Sequence, residues 1–178
     1  MSENYLIVVP TYNEAQNIEL FLDSLSDVSS DILVVDDNSP DGTSDLVKEK
    51  MIANPSIHLL TRKKKDGLGS AYREGFEWGL KYNYEYFIEM DADFSHRVVD
   101  LVGMIKEAKG YDLIIGSRYV NGGGSTGWTF RRKLLSQGAN RIAQILLRTK
   151  INDLTSGFRI YTKAVSYTHL TLPTNREV

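Results

Sequence analysis

The feature that most narrows the possible folds of this chain is an alternation. Short apolar runs rich in β-branched side chains take turns with segments whose apolar residues recur at helical spacing. The runs are Tyr5-Leu6-Ile7-Val8-Val9, Asp31-Ile32-Leu33-Val34-Val35, Ile57-His58-Leu59-Leu60, Tyr86-Phe87-Ile88-Glu89-Met90 and Asp112-Leu113-Ile114-Ile115-Gly116. Each is short for a helix and too continuously apolar for a strand with one wet face, so each reads as a strand buried on both sides. Pro10 is expected to stop the first. Between the runs, Ile18, Phe21, Leu22 and Leu25 form one helical stripe. Leu46, Val47 and Ile52 form another, with Asp41 or Thr43 available to cap it. A third helix is expected over Leu68 to Tyr82, with Ala71, Tyr72, Gly75, Phe76, Gly79 and Leu80 on one side. Glycine costs a helix roughly 1 kcal/mol relative to alanine, which makes sense if that helix lies very close to a sheet. Further helices are expected from about Val98 to Ala108 and from about Arg132 to Leu147. This order predicts an α/β fold, a mostly parallel sheet with helices on both faces, and ligands at the carboxyl ends of the strands.

Charge and composition exclude several classes. The 178 residues carry 21 Lys+Arg against 23 Asp+Glu, a formal net charge of −2, so a general nucleic-acid binder is not expected. The absence of cysteine excludes disulfides and thiolate metal sites and fits a cytoplasmic setting. No apolar run approaches the ~20 residues of a membrane-spanning helix, and Met1-Ser2-Glu3-Asn4 opens no secretion signal. Membrane association is therefore expected to be peripheral.

The chemistry-bearing clusters fall at strand ends. After the first strand, Pro10-Thr11-Tyr12-Asn13-Glu14 offers a flat ring for a base and a carboxylate for its edge, or a helix start capped by Asn13. After the second, Asp36-Asp37 would repel each other unless a ligand with several N–H or O–H donors, such as a base and ribose, faces them. Asx turns account for Asp41 and even Asp36 more easily than for Asp37. After the fourth, Asp91, Asp93 and Ser95 would converge if the backbone were extended, making a partial oxygen shell for Mg2+ or Mn2+. After the fifth, Arg118 in Gly116-Ser117-Arg118-Tyr119 would bring a guanidinium suited to phosphate, or simply a surface arginine. On the last helix Leu135, Ala139, Ile142 and Leu146 form an apolar side, and Arg132, Ser136 and Asn140 an i, i+4 row. With Trp128, Phe130, Arg131, Lys133, Arg141 and Arg148 nearby, that segment could meet anionic lipid headgroups or could face the core. Arg62-Lys63-Lys64-Lys65 reads as a solvated basic loop, His58 lies in a strand, and His96 reads as structural.

Taken together these motifs resemble family 2 glycosyltransferases, and more narrowly their polyprenol (dolichyl) phosphate mannosyltransferase branch. The resemblance runs from residue 5 to about 164. It rests on the clusters above, on Gly67-Leu68-Gly69-Ser70-Ala71-Tyr72 and Met90-Asp91-Ala92-Asp93-Phe94-Ser95-His96, on Gly127-Trp128, and on Arg132-Lys133-Leu134-Leu135-Ser136-Gln137-Gly138-Ala139-Asn140 and Asp153-Leu154-Thr155-Ser156-Gly157-Phe158-Arg159. It implies a Rossmann-like glycosyltransferase A-type fold that transfers mannose from GDP-mannose to a polyprenyl monophosphate with inversion. By the same resemblance Pro10, Tyr12, Glu14, Val35 and Asp37 hold guanosine. Asp91, Ala92 and Asp93 contact the sugar diphosphate, and Asp91, Asp93 and Ser95 surround Mg2+ or Mn2+. Arg118, Arg132 and Ser136 receive the acceptor phosphate, so that Asp91, Asp93 and Arg118 form the catalytic set. The implied partners are GDP-mannose, a polyprenyl phosphate lipid and a membrane-anchoring subunit, and the implied place is the cytoplasmic face of a membrane.

Two features depart from the family pattern. No proline follows His96, where Arg97-Val98-Val99-Asp100 stands. The later Asp-Arg-x-x-Gly-x-Ser-Lys segment has no match. From Val165 the sequence reads like a translated sequencing adapter, so residues 1–164 are expected to form an incomplete transferase domain and 165–178 a non-native tail. Other readings are a family 2 transferase using UDP-glucose or another nucleotide sugar with the same acceptor, or a fragment that binds nucleotide sugar without turnover.

Overall fold

The computed structural model describes residues 4–120, 122–124 and 129–171, without the side chains of 130, 132 and 169–171. The elements, in order, are β1 (Tyr5–Thr11), α1 (Ile18–Ser24), β2 (Asp31–Asp36), α2 (Thr43–Ala53), β3 (Ile57–Thr61) and α3 (Leu68–Gly79). There follow β4 (Tyr86–Glu89), α4 (Val98–Glu107), β5 (Leu113–Ile115), α5 (Phe130–Leu147), β6 (Arg159–Thr162) and α6 (Lys163–Thr171). All five strands and five helices expected from the alternation are present.

The strands form a six-stranded sheet in the order β3-β2-β1-β4-β6-β5. The pairs β1·β2, β1·β4 and β2·β3 are parallel, whereas β6 runs antiparallel to both β4 and β5. β6 was not expected from sequence. Its four residues, Arg-Ile-Tyr-Thr, carry too little apolar periodicity to stand out, yet β6 separates β5 from β4. A second difference concerns Pro10, which lies inside β1 in register with Val35 and does not end it. Thr11 accepts the Asp37 N–H on the β2 side, so the neighbouring Pro10 nitrogen faces the other way, where pairing with β4 has ended at Val8. A ring nitrogen without a hydrogen is tolerated there.

Alternating side chains go to opposite faces of the sheet. Tyr5, Ile7, Val9, Ile32, Val34 and Ile88 face the core built with Ile18, Phe21 and Leu22 of α1, Val47 of α2 and Leu101 of α4. Leu6, Val8, Leu33, Val35 and Phe87 face α3, meeting Ala71, Tyr72 and Phe76. Each such fully buried side chain contributes roughly 1.5–3 kcal/mol. The α3 glycines do what their cost suggested: a Cβ at Gly79 would come 2.5 Å from Leu6 and 2.6 Å from Phe87, and one at Gly75 would collide with Val8. Val165 of α6 packs on this second core, and the Ser166 hydroxyl donates to the Thr162 carbonyl. The first residues of the segment set apart in the sequence thus continue the last helix.

Candidate nucleotide-sugar site

The chain visits β1, β2 and β3 in one direction and then crosses to β4 on the other side of β1, so the order reverses between β1 and β4. Such a reversal leaves a crevice at the carboxyl ends of the strands. A cleft of about 300 Å3 lies there, lined by Pro10, Thr11, Tyr12 and Glu14, by Asp37, by Lys65, Leu68 and Ala71, and by Asp91, Ala92 and Asp93. A larger hollow of about 600 Å3 lies at the opposite ends of the strands. Asp31 is the one ionisable carboxylate among the described residues that line it, and no motif residue reaches it.

The loop after β2 is built by one buried carboxylate. Asp36 is fully buried and accepts from the Thr11, Ser39 and Ser44 hydroxyls and the Ser39 N–H. It is an Asx-type anchor, as the sequence allowed. Asp37 next to it has a different partner, Arg62, whose Nη1 donates to its Oδ1 at 2.6 Å. Arg62 also donates through Nε to Glu74 and through Nη2 to Ser70. Both ends of the pair are buried, Arg62 at 6% and Asp37 at 7% exposure. Burial pulls the guanidinium pKa down, but the hydrogen bonds to Asp37 and Glu74 hold it above its ordinary value. The basic run is therefore not simply a solvated loop. Arg62 is its buried member, and Lys65 stands with Nζ 3.9 Å from the centroid of the Tyr12 ring. Both lie just past the end of β3, where the rule that singled out the other clusters would have found them.

Asn13 does not cap α1, whose N-cap is Asn17. Asn13 adopts φ +62° and its N–H donates to the Ser39 hydroxyl, while α1 begins at Ile18. The N-cap of α2 is Gly42, and Thr43 instead accepts the Glu14 N–H, tying the β1 and β2 loops together. Val35, expected to contact guanosine, is instead fully buried against α3 and does not line the cleft.

The backbone past β4 is not extended. Phe94 takes φ +58° and Asp93 Oδ1 accepts the Ser95 N–H at 2.9 Å. Asp91 and Asp93 reach the cleft, but Ser95 does not line it. Tyr72 of α3 donates its hydroxyl to Asp91 Oδ1 at 3.0 Å. Burial and the Asp91 carboxylate push that phenol's pKa far up, so it stays a donor. His96, stacked on Phe158 at 4.6 Å, places Nε2 3.6 Å from Asp91 Oδ2. The interaction with His96 is the largest influence and, together with the Tyr72 hydrogen bond, outweighs burial, so the Asp91 carboxyl is held below the usual carboxylate range.

A model of the family described as glycosyl transferase family 2 matches residues 6–170. The chain belongs to that family. Over 158 residues it is 44% identical to the undecaprenyl-phosphate mannosyltransferase of Micrococcus luteus, covering 88% of this chain and 65% of that protein. Over 168 residues it is 43% identical to the polyprenol monophosphomannose synthase of Mycolicibacterium smegmatis, covering 92% and 63%. The chain thus spans a little under two thirds of the length of these curated relatives. A mannosyltransferase from Pyrobaculum calidifontis, solved in complex with GDP-Man and Mn2+, superposes with a TM-score of 0.63 at 19% identity, over 93% of this chain and 46% of that one. The fold is the glycosyltransferase A-type architecture.

Family 2 membership implies a divalent cation, and the residues present fit one as a partial shell. No group of three or more His, Asp or Glu side chains converges for a metal among the described residues. Two carboxylates facing one cleft nonetheless suit Mg2+ or Mn2+, which take the rest of their oxygens from water and substrate phosphates.

Arg118 and Ser136, expected from the resemblance to receive the acceptor phosphate, do not line the cleft. Arg118 is held by Asp153: Nε and Nη2 donate to its two oxygens at 2.7 Å each, and Nη2 also donates to the Thr155 hydroxyl. Asp153 is fully buried; burial pushes its carboxyl up, but the hydrogen bonds from Arg118 hold it below the usual range. Asn140 of α5 donates to the Asn152 carbonyl and accepts the Leu154 N–H, and Ser136 shares a 2.7 Å hydrogen bond with the Tyr119 hydroxyl. Arg118 and Ser136 thus belong to one knitted unit. The Arg132 side chain and Gly127-Trp128 lie outside what the structure describes. The apolar side expected on α5 is exposed rather than core-facing, with Leu135 at 75%, Ile142 at 60% and Leu146 at 76%.

Proposed function

We propose that this chain carries the catalytic site of a polyprenyl phosphate mannosyltransferase, moving mannose from GDP-mannose to a polyprenyl monophosphate with inversion at the anomeric carbon. The observation that carries the reading is one cleft lined both by Tyr12, Glu14 and Asp37 and by Asp91, Ala92 and Asp93. The curated relatives named for mannosyl transfer to polyprenyl lipids support the acceptor class. The neighbour solved with GDP-Man and Mn2+ supports the donor.

In this reading the base stacks on Tyr12, while Asp37, fixed from behind by Arg62, accepts from donors on the base or ribose. Asp91 and Asp93 hold Mg2+ or Mn2+, which when bound neutralises charge on the departing diphosphate. Tyr72 and His96 orient Asp91 for that task. A phosphate monoester has a second pKa near 6 and is already a nucleophile at neutral pH, so no general base is required of the protein. Arg118, Arg132 and Ser136 orient the acceptor phosphate, leaving positioning and charge as the catalytic burden. Asp153 fixes the plane of the Arg118 guanidinium. The exposed apolar side of α5, flanked by Arg131, Lys133, Arg141 and Arg148, lies along a membrane that presents the lipid.

Incubation with Mn2+, a polyprenyl phosphate and labelled GDP-mannose or UDP-glucose tests the reading. A mannosyl lipid formed from GDP-mannose, with UDP-glucose inert, is expected. Product from UDP-glucose in preference would replace the donor, and tight GDP-mannose binding without product would reduce the chain to a nucleotide-sugar binder.

A further inference from the structure

The wall of the cleft is unevenly charged. Glu14, Asp37, Asp91 and Asp93 bring four carboxylates to it, against one cation, Lys65, among the described residues that line it. Arg62 does not share that place, because its guanidinium is buried behind Asp37 and its donors go to Asp37, Glu74 and Ser70. Lys65, three residues further along the same loop, is exposed, with its ammonium over the face of Tyr12. A cation on an exposed aromatic face is held weakly. That ring face cannot carry an ammonium and a stacked base at once. A diphosphate entering the cleft offers full negative charges, and the compact ammonium of lysine on its four-carbon stem can follow them.

We propose that Lys65 is a donor-binding residue that meets the diphosphate of a nucleoside diphosphate, and that its place on Tyr12 is the position it leaves when the base stacks there. The inference rests on the reading of the cleft as a nucleotide-sugar site and adds to it a phosphate contact supplied by the β3–α3 loop. Lys65 hands the Tyr12 face to the base and brings positive charge to the one part of the ligand that the surrounding carboxylates repel.

The test compares wild type with Lys65→Met and Lys65→Gln, titrating guanosine, GDP, uridine and UDP with Mn2+ by calorimetry. The side chain is exposed in a loop, so both variants are expected to melt with the wild type. The diphosphates are expected to lose about tenfold in affinity in either variant, the scale of one hydrogen bond to a charged group. The nucleosides are expected to bind unchanged or tighter, since no ammonium must leave the ring, and Lys65→Arg is expected to restore most of the diphosphate affinity. Equal losses for nucleoside and diphosphate would assign Lys65 to the base, and no loss for either would remove it from the site. Either result overturns the proposal. If wild type takes UDP over GDP, the guanosine reading fails while Lys65 is still judged on the uridine and UDP pair. A wild type that binds neither nucleotide sinks both.

Discussion

Removing one partner of the Arg62–Asp37 pair leaves a charge buried without compensation. Breaking such a pair typically costs about 3–5 kcal/mol, so Arg62→Met is expected to lower stability on that scale in urea denaturation. The double variant Arg62→Met, Asp37→Asn is expected to recover part of the loss. At the other end of the cleft Asp93→Ala is expected to abolish mannosyl-lipid formation, and labelled lipid recovered from that variant would remove Asp93 from the metal-holding set. Tyr72→Phe keeps the ring and deletes the hydroxyl that donates to Asp91. Losing such an outer hydrogen bond costs a metal site about 10-fold or more in affinity, to be read by Mn2+ titration.

At the scale of elements, α3 positions one wall of the cleft and the 152–156 loop holds Arg118 in place. α3 approaches the sheet through Gly75 and Gly79, and this brings Ala71 and Leu68 to the cleft and Tyr72 to Asp91. Gly75→Ala is expected to cost about 1–3 kcal/mol through overpacking against Val8. Gly69→Ala, on the same helix where an added Cβ meets nothing within 4 Å, is expected to stabilise by up to about 1 kcal/mol. Thermal denaturation of the two separates close packing from helix propensity. In the 152–156 loop, Asp153 titrates lower folded than unfolded because Arg118 favours its charged form against burial. Its contribution is therefore fully present above the unfolded value of ~3.9 and is lost as pH falls through the lower folded value. Urea titrations from pH 7 to pH 2 are expected to show wild type holding a constant margin over Asp153→Asn down to about pH 5. That margin is expected to narrow below about pH 4.

Across the whole molecule, the two ends of the sheet differ in chemistry and the outer face of α5 differs from the rest of the surface. Among the described residues no helix is long and apolar enough to cross a membrane. Leu134, Leu135, Ile142, Ile145, Leu146 and Leu147 are nevertheless all at least 60% exposed on one 18-residue helix. If that face rests on lipid, the chain is expected to cosediment with anionic vesicles, more weakly as salt rises. The double variant Ile142→Glu, Leu146→Glu is expected to remain in the supernatant. Equal sedimentation of both proteins would take the lipid away from α5.

The alternating apolar runs determined the α/β class and the five strands, because the burial of a central strand on both faces is written in consecutive residues, as in β1 and β2; β5, at the sheet edge, is only partly covered. Gly75 and Gly79 of α3 were legible as well, since their cost on the apolar side demands a close neighbour. Other features depend on residues far apart in the chain, and only the tertiary structure decided them. Arg62 is a buried partner of Asp37 because β2 and β3 end side by side. Lys65 sits on Tyr12 because the loop entering α3 comes back over the end of β1. The extended backbone assumed for residues 91–95 failed at Phe94, whose left-handed turn leaves Ser95 outside the cleft. β6 is not legible in the sequence because its four residues gain their strand identity only from the two strands they join. A single sequence records which residues must be buried, and the choice of partner for each buried charge is made by the contacts that folding creates.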